Sequence, residues 1–206
     1  MVTSVAPKDV TRLPLILGSA SPRRLELLRQ IGIAPDEVRA ADIDEAPRPQ
    51  EMPRDYAQRI AGEKLSAILA ASPPNRGIVL CADTVVYAGR RILGKSADVA
   101  EARRFLRLLS GRRHKVATAV AVASPTHRIA RLVETTVRFR PLTDAEIDGY
   151  IGTDEWRGKA GGYAIQGAAA AFIPWIQGSF SAVVGLPLAE TMTMLRAAGW
   201  KERTGT

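Results

Sequence analysis

Gly18-Ser19-Ala20-Ser21-Pro22-Arg23-Arg24 follows the short apolar run Leu13-Pro14-Leu15-Ile16-Leu17. It precedes Leu25, Leu27, Leu28 and Ile31, which recur at helical spacing and stop at Gly32. The apolar run predicts a buried strand. Ser21 suits an N-cap, and Pro22 suits the first helical position, where its missing N–H would be unpaired anyway. The stretch therefore predicts a strand feeding a tight turn that opens a helix with two arginines in its first turn. Free N–H groups, the positive end of the helix dipole and two guanidinium forks converge there, which makes an anion site with phosphate as the best-fitting anion. The alternative is an ordinary capped helix with solvated arginines. Basic residues in a first turn oppose the dipole, and this favours the anion site.

Working outward, the chain of 206 residues is 46% apolar and 24% charged, values that exclude wholesale disorder and allow a substantial core. Its 29 basic and 21 acidic residues leave a net charge of +8, which suits a polyanionic partner without choosing among nucleotide, nucleic acid and membrane surface. Lysine occurs only at positions 8, 64, 95, 115, 159 and 201, so each one in an unusual place stands out. The single Cys81 excludes an intrachain disulfide, and two histidines far apart in sequence indicate neither a zinc site nor a Ser-His triad. No apolar segment reaches membrane-spanning length and the N-terminus has no signal-peptide core, so the cytoplasm is the expected location. Residues 1–11 read as a loose N-terminal arm, and 12–202 as one domain.

Downstream, Glu37 to Ile43 is a weak strand candidate that ends in Asp42-Ile43-Asp44-Glu45, and the proline-bearing stretch from Ala46 to Pro53 reads as a surface loop. On its own the acidic cluster is a solvated turn. Asp55 to Leu69 predicts a helix, and Lys64 falls in the middle of its apolar arc, either snorkelling outward or pointing into a site. Gly77 to Tyr87 is the strongest strand, apolar on both faces and interrupted by Asp83. A carboxylate buried there is costly unless a metal, a base role or an oriented donor accounts for it. Ala88-Gly89-Arg90 predicts a turn into Arg91-Ile92-Leu93. Helices follow, capped by Asp98 with Glu101 and by Thr143 with Glu146, and paired strands lie between them over Val116–Ala123 and Ile129–Phe139. Residues 153–187 are the most loop-like third. Trp156 and Tyr163 there suit either core packing or stacking on a ring, strands are expected over Ala169–Ile173 and Ser179–Val184, and a last helix follows Pro187.

Four separated segments carry a family resemblance. Ser19-Ala20-Ser21-Pro22-Arg23-Arg24, Ala82-Asp83-Thr84-Val85, Lys159-Ala160-Gly161-Gly162-Tyr163-Ala164-Ile165-Gln166-Gly167 and Val184-Gly185-Leu186-Pro187-Leu188 together resemble the Maf family of nucleoside triphosphate pyrophosphatases. The resemblance implies an α/β fold with an elongated mixed β-sheet flanked by helices, similar to the inosine triphosphate pyrophosphatase fold, and a homodimer. It implies hydrolysis of a nucleoside triphosphate to monophosphate and pyrophosphate with a divalent cation, Mg²⁺ or Mn²⁺. The Ile165-Gln166-Gly167 form is similar to the branch acting on dTTP and UTP rather than on 7-methyl-GTP. Carried over by position, Ser19, Arg23 and Arg24 would bind phosphate. Asp83, Lys64, Lys95 and Gln166 would be catalytic, and Asp83 with Glu45 would hold the metal.

Three alternatives stand beside this reading, the first a 7-methyl-GTP-type pyrophosphatase of the same family. Where the family continues the Lys95 position with proline, this chain has Ser96, so Gly89 to Ser96 fits the G-x-x-x-x-G-K-[ST] phosphate-loop pattern. The bulky residues 90–93 suit a returning hairpin strand better than a phosphate cradle. A basic, non-enzymatic septum- or nucleic-acid-associated regulator would explain the charge but gives Asp83, Lys64 and Gln166 no purpose, and no nucleic-acid-binding motif is present.

Overall fold

In the computed structural model residues 13–71 and 77–201 are described; the expected arm at 1–11 lies outside them. Seven strands form one mixed sheet: β1 (Leu15–Leu17), β2 (Glu37–Val38), β3 (Ile78–Ala88), β4 (Arg91–Leu93), β5 (Arg113–Ala123), β6 (Arg128–Arg138) and β7 (Trp175–Gln177). The order is β2-β1-β3-β5-β6-β7, with β4 also on β3. The first two neighbours are parallel and the rest antiparallel. The helices are α1 (Pro22–Gln30), α2 (Pro53–Ala71), α3 (Val99–Leu109), α4 (Asp144–Ile151), α5 (Phe180–Val184) and α6 (Leu188–Ala197).

The sheet is covered on both sides, as the apolar residues on both faces of β3 require. On one face α2 lays Ala57, Ala61, Leu65 and Ile68 against Val79, Cys81 and Val85 of β3 and the alanines at 117, 119, 121 and 123 of β5. Those small side chains let the helix approach closely. The opposite face packs Leu27, Leu28 and Leu195 on Leu15, Leu17, Leu80 and Val120, and Phe105, Leu106 and Ile147 on Val116, Val137 and Phe139. Each fully buried aliphatic side chain contributes on the order of 1.5–3 kcal/mol. Among the described residues no helix is long and apolar enough to cross a membrane.

One topological detail positions everything that follows. Strand β5 pairs with β3 over Val79–Tyr87 on one edge. On the other edge, β1 pairs only with Ile78–Leu80 and β4 only with Val86–Ala88. Among the described residues, no strand covers Cys81–Val85 on that edge, and Asp83 is in the middle of the gap. The chain leaves β1 at this point, so the Gly18–Ser21 turn opens onto it.

Several local expectations change. Ser21 is the N-cap of α1, but its side chain makes no capping bond; instead its backbone N–H donates to Ser19 Oγ at 3.2 Å. Asp98 accepts from Glu101 N as expected, whereas Glu101 returns to Ala97 N, one residue early for a reciprocal box. Thr143 and Glu146 form the full box. The strand expected over 37–43 shortens to Glu37–Val38. Ala169–Ile173 is not a strand: Ala168–Phe172 is a 3₁₀ turn, because an alanine run supplies no side chains that favour a pleated surface. Ser179–Val184 is not a strand either. Ser179 Oγ caps Ala182 N at 3.1 Å and starts α5. The strand of this region is instead Trp175–Gln177, between Pro174 and Gly178. Arg91–Leu93 is an extended strand bonded to β3, so residues 90–93 do not wrap a phosphate and the phosphate-loop alternative falls.

Candidate active site

The gap in the β3 edge is the floor of a cleft of about 600 Å³. Ser19, Arg23, Arg24, Glu45, Lys64, Asp83, Lys95 and Gln166 all line it, so the eight positions named from sequence converge on one place. Six separate segments deliver them. The β1–α1 turn brings Ser19 and the arginines, the loop before α2 brings Glu45, and α2 brings Lys64 across from Asp83 on β3. Lys95 follows β4, and the Gly-rich loop brings Gln166.

At the centre Lys64 Nζ lies 2.7 Å from Asp83 Oδ1 and 2.7 Å from Glu45 Oε1. Lys95 Nζ is 3.7 Å from the other Glu45 oxygen. The two carboxylates titrate in opposite directions. Burial pushes Asp83 above the usual carboxylate range despite the charge of Lys64. Burial acts against ionisation of Glu45 too, but its hydrogen bond to Lys64 and the charges of Lys64, Lys95 and Arg24 hold it below that range. Glu45 is fixed in this irregular loop by its own carbonyl, which accepts from Tyr56 Oη at 2.9 Å.

Arg24 is buried, and among the described residues its guanidinium donates to neutral oxygens. Nη1 reaches Ser19 Oγ at 2.9 Å, Nε the Gly185 carbonyl at 2.9 Å, and Nη2 Thr84 Oγ1 at 3.4 Å. Gly185, at φ 142°, turns its carbonyl to the arginine from a conformation that other residues rarely adopt. Burial lowers the affinity of Arg24 for its proton, with Asp83 the largest opposing charge. Arg23 is likewise held down by burial and by Arg24, and its Nε is buried without a partner. This end of the cleft therefore concentrates positive charge that, among the described residues, no carboxylate cancels at ion-pair distance, which is the electrostatics of a polyphosphate subsite.

The Gly-rich loop is pinned from below. Ala164 N donates to Tyr150 Oη at 3.0 Å, Gly161 N to the Leu93 carbonyl at 2.9 Å, and Tyr163 Oη pairs with His114 Nε2 at 2.8 Å. Burial pulls His114 down to about 4, so it is neutral near pH 7. Trp156 is core, and Tyr163 packs on Phe139 while one part of it borders the cleft. A Cβ on Gly161 would come within 2.8 Å of Val86 Cγ1, so only glycine permits this approach. The cleft also includes Thr84 and Lys159, to which the sequence reading gave no role. Burial and the charge of Arg23 lower the proton affinity of Lys159; its rarity in this chain was the available signal. Ser96 Oγ is buried with no partner and turns no ligand atom toward the cleft lining.

Among the described residues no three His, Cys, Asp or Glu side chains cluster as a metal site. Two hard oxygen donors, Asp83 and Glu45, remain. That set fits Mg²⁺ or Mn²⁺, which are commonly held by one or two carboxylates together with substrate phosphates.

A family model described as Maf-like protein matches residues 14–198. A protein of Cereibacter sphaeroides named dTTP/UTP pyrophosphatase is 58% identical over 91% of this chain and 96% of its own length. Proteins of the same name from Ruegeria sp. (strain TM1040) and Gluconobacter oxydans are 53% identical over 91% of this chain and 96% of theirs, and 58% identical over 90% and 87%. The structure of a Staphylococcus aureus Ham1 protein aligns with a TM-score of 0.42 at 16% identity, over 64% of this chain and 72% of that one, too distant to argue from. With the match running from the first strand into the last helix, this chain belongs to the Maf family.

Proposed function

We propose that this protein hydrolyses nucleoside triphosphates, dTTP and UTP in preference, to the monophosphate and pyrophosphate. The names of relatives at more than half identity support the substrate class. The observation that carries the chemistry is the opposite displacement of two carboxylates that share Lys64. A carboxylate raised by burial is a better proton acceptor, and one held low stays ionised, so such a divided pair assigns roles.

Asp83 accepts the proton of the attacking water. Glu45 remains anionic and orients Lys64. Arg24, Arg23 and Ser19 hold the phosphate chain, with Lys64 and Lys95 beside the charge that develops on the phosphoryl oxygens. Asp83 and Glu45 would hold a divalent cation, which when bound would withdraw charge from those same oxygens. Gln166 faces the cleft from a loop whose backbone is fixed, and suits reading a base edge. The same reading carries a homodimer and a cytoplasmic location.

A panel of nucleoside triphosphates with product identification tests it. Release of pyrophosphate with highest kcat/KM for dTTP and UTP is expected. A clear preference for GTP or its 7-methyl form would refute the substrate assignment.

A further inference from the structure

Thr118 is fully buried on β5, directly across the ladder from Thr84. Its Oγ1 lies 2.7 Å from the carbonyl oxygen of Ala182, which can only accept. The one hydroxyl hydrogen of Thr118 is therefore committed to Ala182. Thr84 Oγ1 is 3.0 Å from Thr118 Oγ1, and with that hydrogen committed Thr84 must be the donor of the pair. Thr84 then has only lone pairs left for Arg24 Nη2, which can only donate. Each hydrogen has a fixed direction, from Arg24 to Thr84 to Thr118 to Ala182.

The chain of contacts closes into a ring. Ala182 belongs to α5, and the residue that ends α5 is Gly185, whose carbonyl accepts from Arg24 Nε. Thr118 thus supports two of the three acceptors of a buried guanidinium, one by orienting Thr84 and one by tying down α5. A valine would fill the same space, beside Val116 and Val120 on the same strand, without burying a hydroxyl.

We propose that Thr118 is a positioning residue: it sets the direction of the Thr84 hydroxyl and the placement of α5, and so holds the Arg24 guanidinium against the phosphate chain. This rests on the pyrophosphatase reading. Removing the hydroxyl frees the Thr84 hydrogen to turn toward Arg24, where donor would face donor.

The test compares Thr118→Val and Thr118→Ser in the full chain, by steady-state kinetics on dTTP and by calorimetric binding of pyrophosphate. Thr118→Val is expected to lower kcat/KM by about tenfold to a hundredfold, the scale of a hydrogen bond to a charged group, and to weaken pyrophosphate binding in parallel. Thr118→Ser keeps the hydroxyl and stays within about threefold of wild type on that scale. In a Thr84→Val background, Thr118→Val costs less than the product of the single losses, because the relay is already cut. Wild-type kcat/KM and pyrophosphate affinity in Thr118→Val, or losses that multiply, would overturn the proposal. Should Thr118→Val not fold, Thr118→Cys is read by the same two measurements, and wild-type values for it overturn the proposal equally. A wild-type chain that hydrolyses no triphosphate condemns the pyrophosphatase reading instead, and pyrophosphate binding still tests Thr118.

Discussion

Lys64 Nζ and Asp83 Oδ1 lie 2.7 Å apart inside the protein, and Glu45 approaches the same ammonium from its other side. Because Lys64 keeps Glu45 when Asp83 is neutralised, Asp83→Asn leaves no lone buried charge and relieves the desolvation of a carboxylate. We expect turnover to fall by about a thousandfold or more, as for loss of a principal catalytic group, with circular dichroism and melting close to wild type. Near-normal activity would remove Asp83 from both of its assigned roles.

The pH profile follows from the same pair. Asp83 accepts a proton only when ionised, and burial raises its titration above the usual carboxylate range. The acid limb of kcat/KM should therefore lie above the ordinary Asp value of about 3.9. Lys64 lowers the Asp83 value, so Lys64→Met, with its residual activity, should move that limb to higher pH. A raised folded-state value also means that stability falls as pH rises from the unfolded toward the folded value, and Asp83→Asn should remove that contribution. A limb that Lys64→Met leaves in place would contradict the coupling.

Gly18 tests how the phosphate turn is seated. A Cβ there would meet Cys81 Sγ at 2.3 Å. Gly18→Ala should displace the turn and weaken substrate binding, read as a raised KM. Gly18→Ala with Cys81→Ala makes room and should recover most of that loss, although Cys81→Ala alone leaves a small void in the core. Failure of the second substitution to rescue the first would place the defect elsewhere.

Ser96→Ala should be close to silent in catalysis, within about twofold, since no charged or hydrogen-bonding partner is lost. Ser96 Oγ is buried and unpartnered, so its removal should leave melting unchanged or stabilise by up to about 1 kcal/mol. A nearly inactive Ser96→Ala would revive a metal-ligating role for this hydroxyl.

Much of this site was legible because burying charge is expensive. Asp83 in an apolar strand and Lys64 on an apolar helical arc stand out on that ground alone, and they prove to be each other's partners. Glu45 was not legible from its surroundings, which have the composition of a surface turn; only the resemblance marked it. Thr84 and Thr118 were hidden for the opposite reason. Threonine is a good strand former, so a buried hydroxyl relay in a sheet reads as ordinary β pattern. The last third was misread where Ala168–Phe172 and Phe180–Val184 carry apolar residues too few to show a period. Their conformation follows from contacts distant in sequence, such as Ser179 N donating to Thr135 Oγ1 at 3.0 Å and Arg140 N to the Phe172 carbonyl at 2.9 Å.

The central claim is that water activated by Asp83 attacks the α-phosphorus and pyrophosphate departs. Hydrolysis of dTTP in oxygen-18-labelled water, with both products examined by mass spectrometry, tests it most directly. Label confined to the monophosphate is the predicted result. Label in pyrophosphate, or release of labelled orthophosphate with a diphosphate, would contradict it.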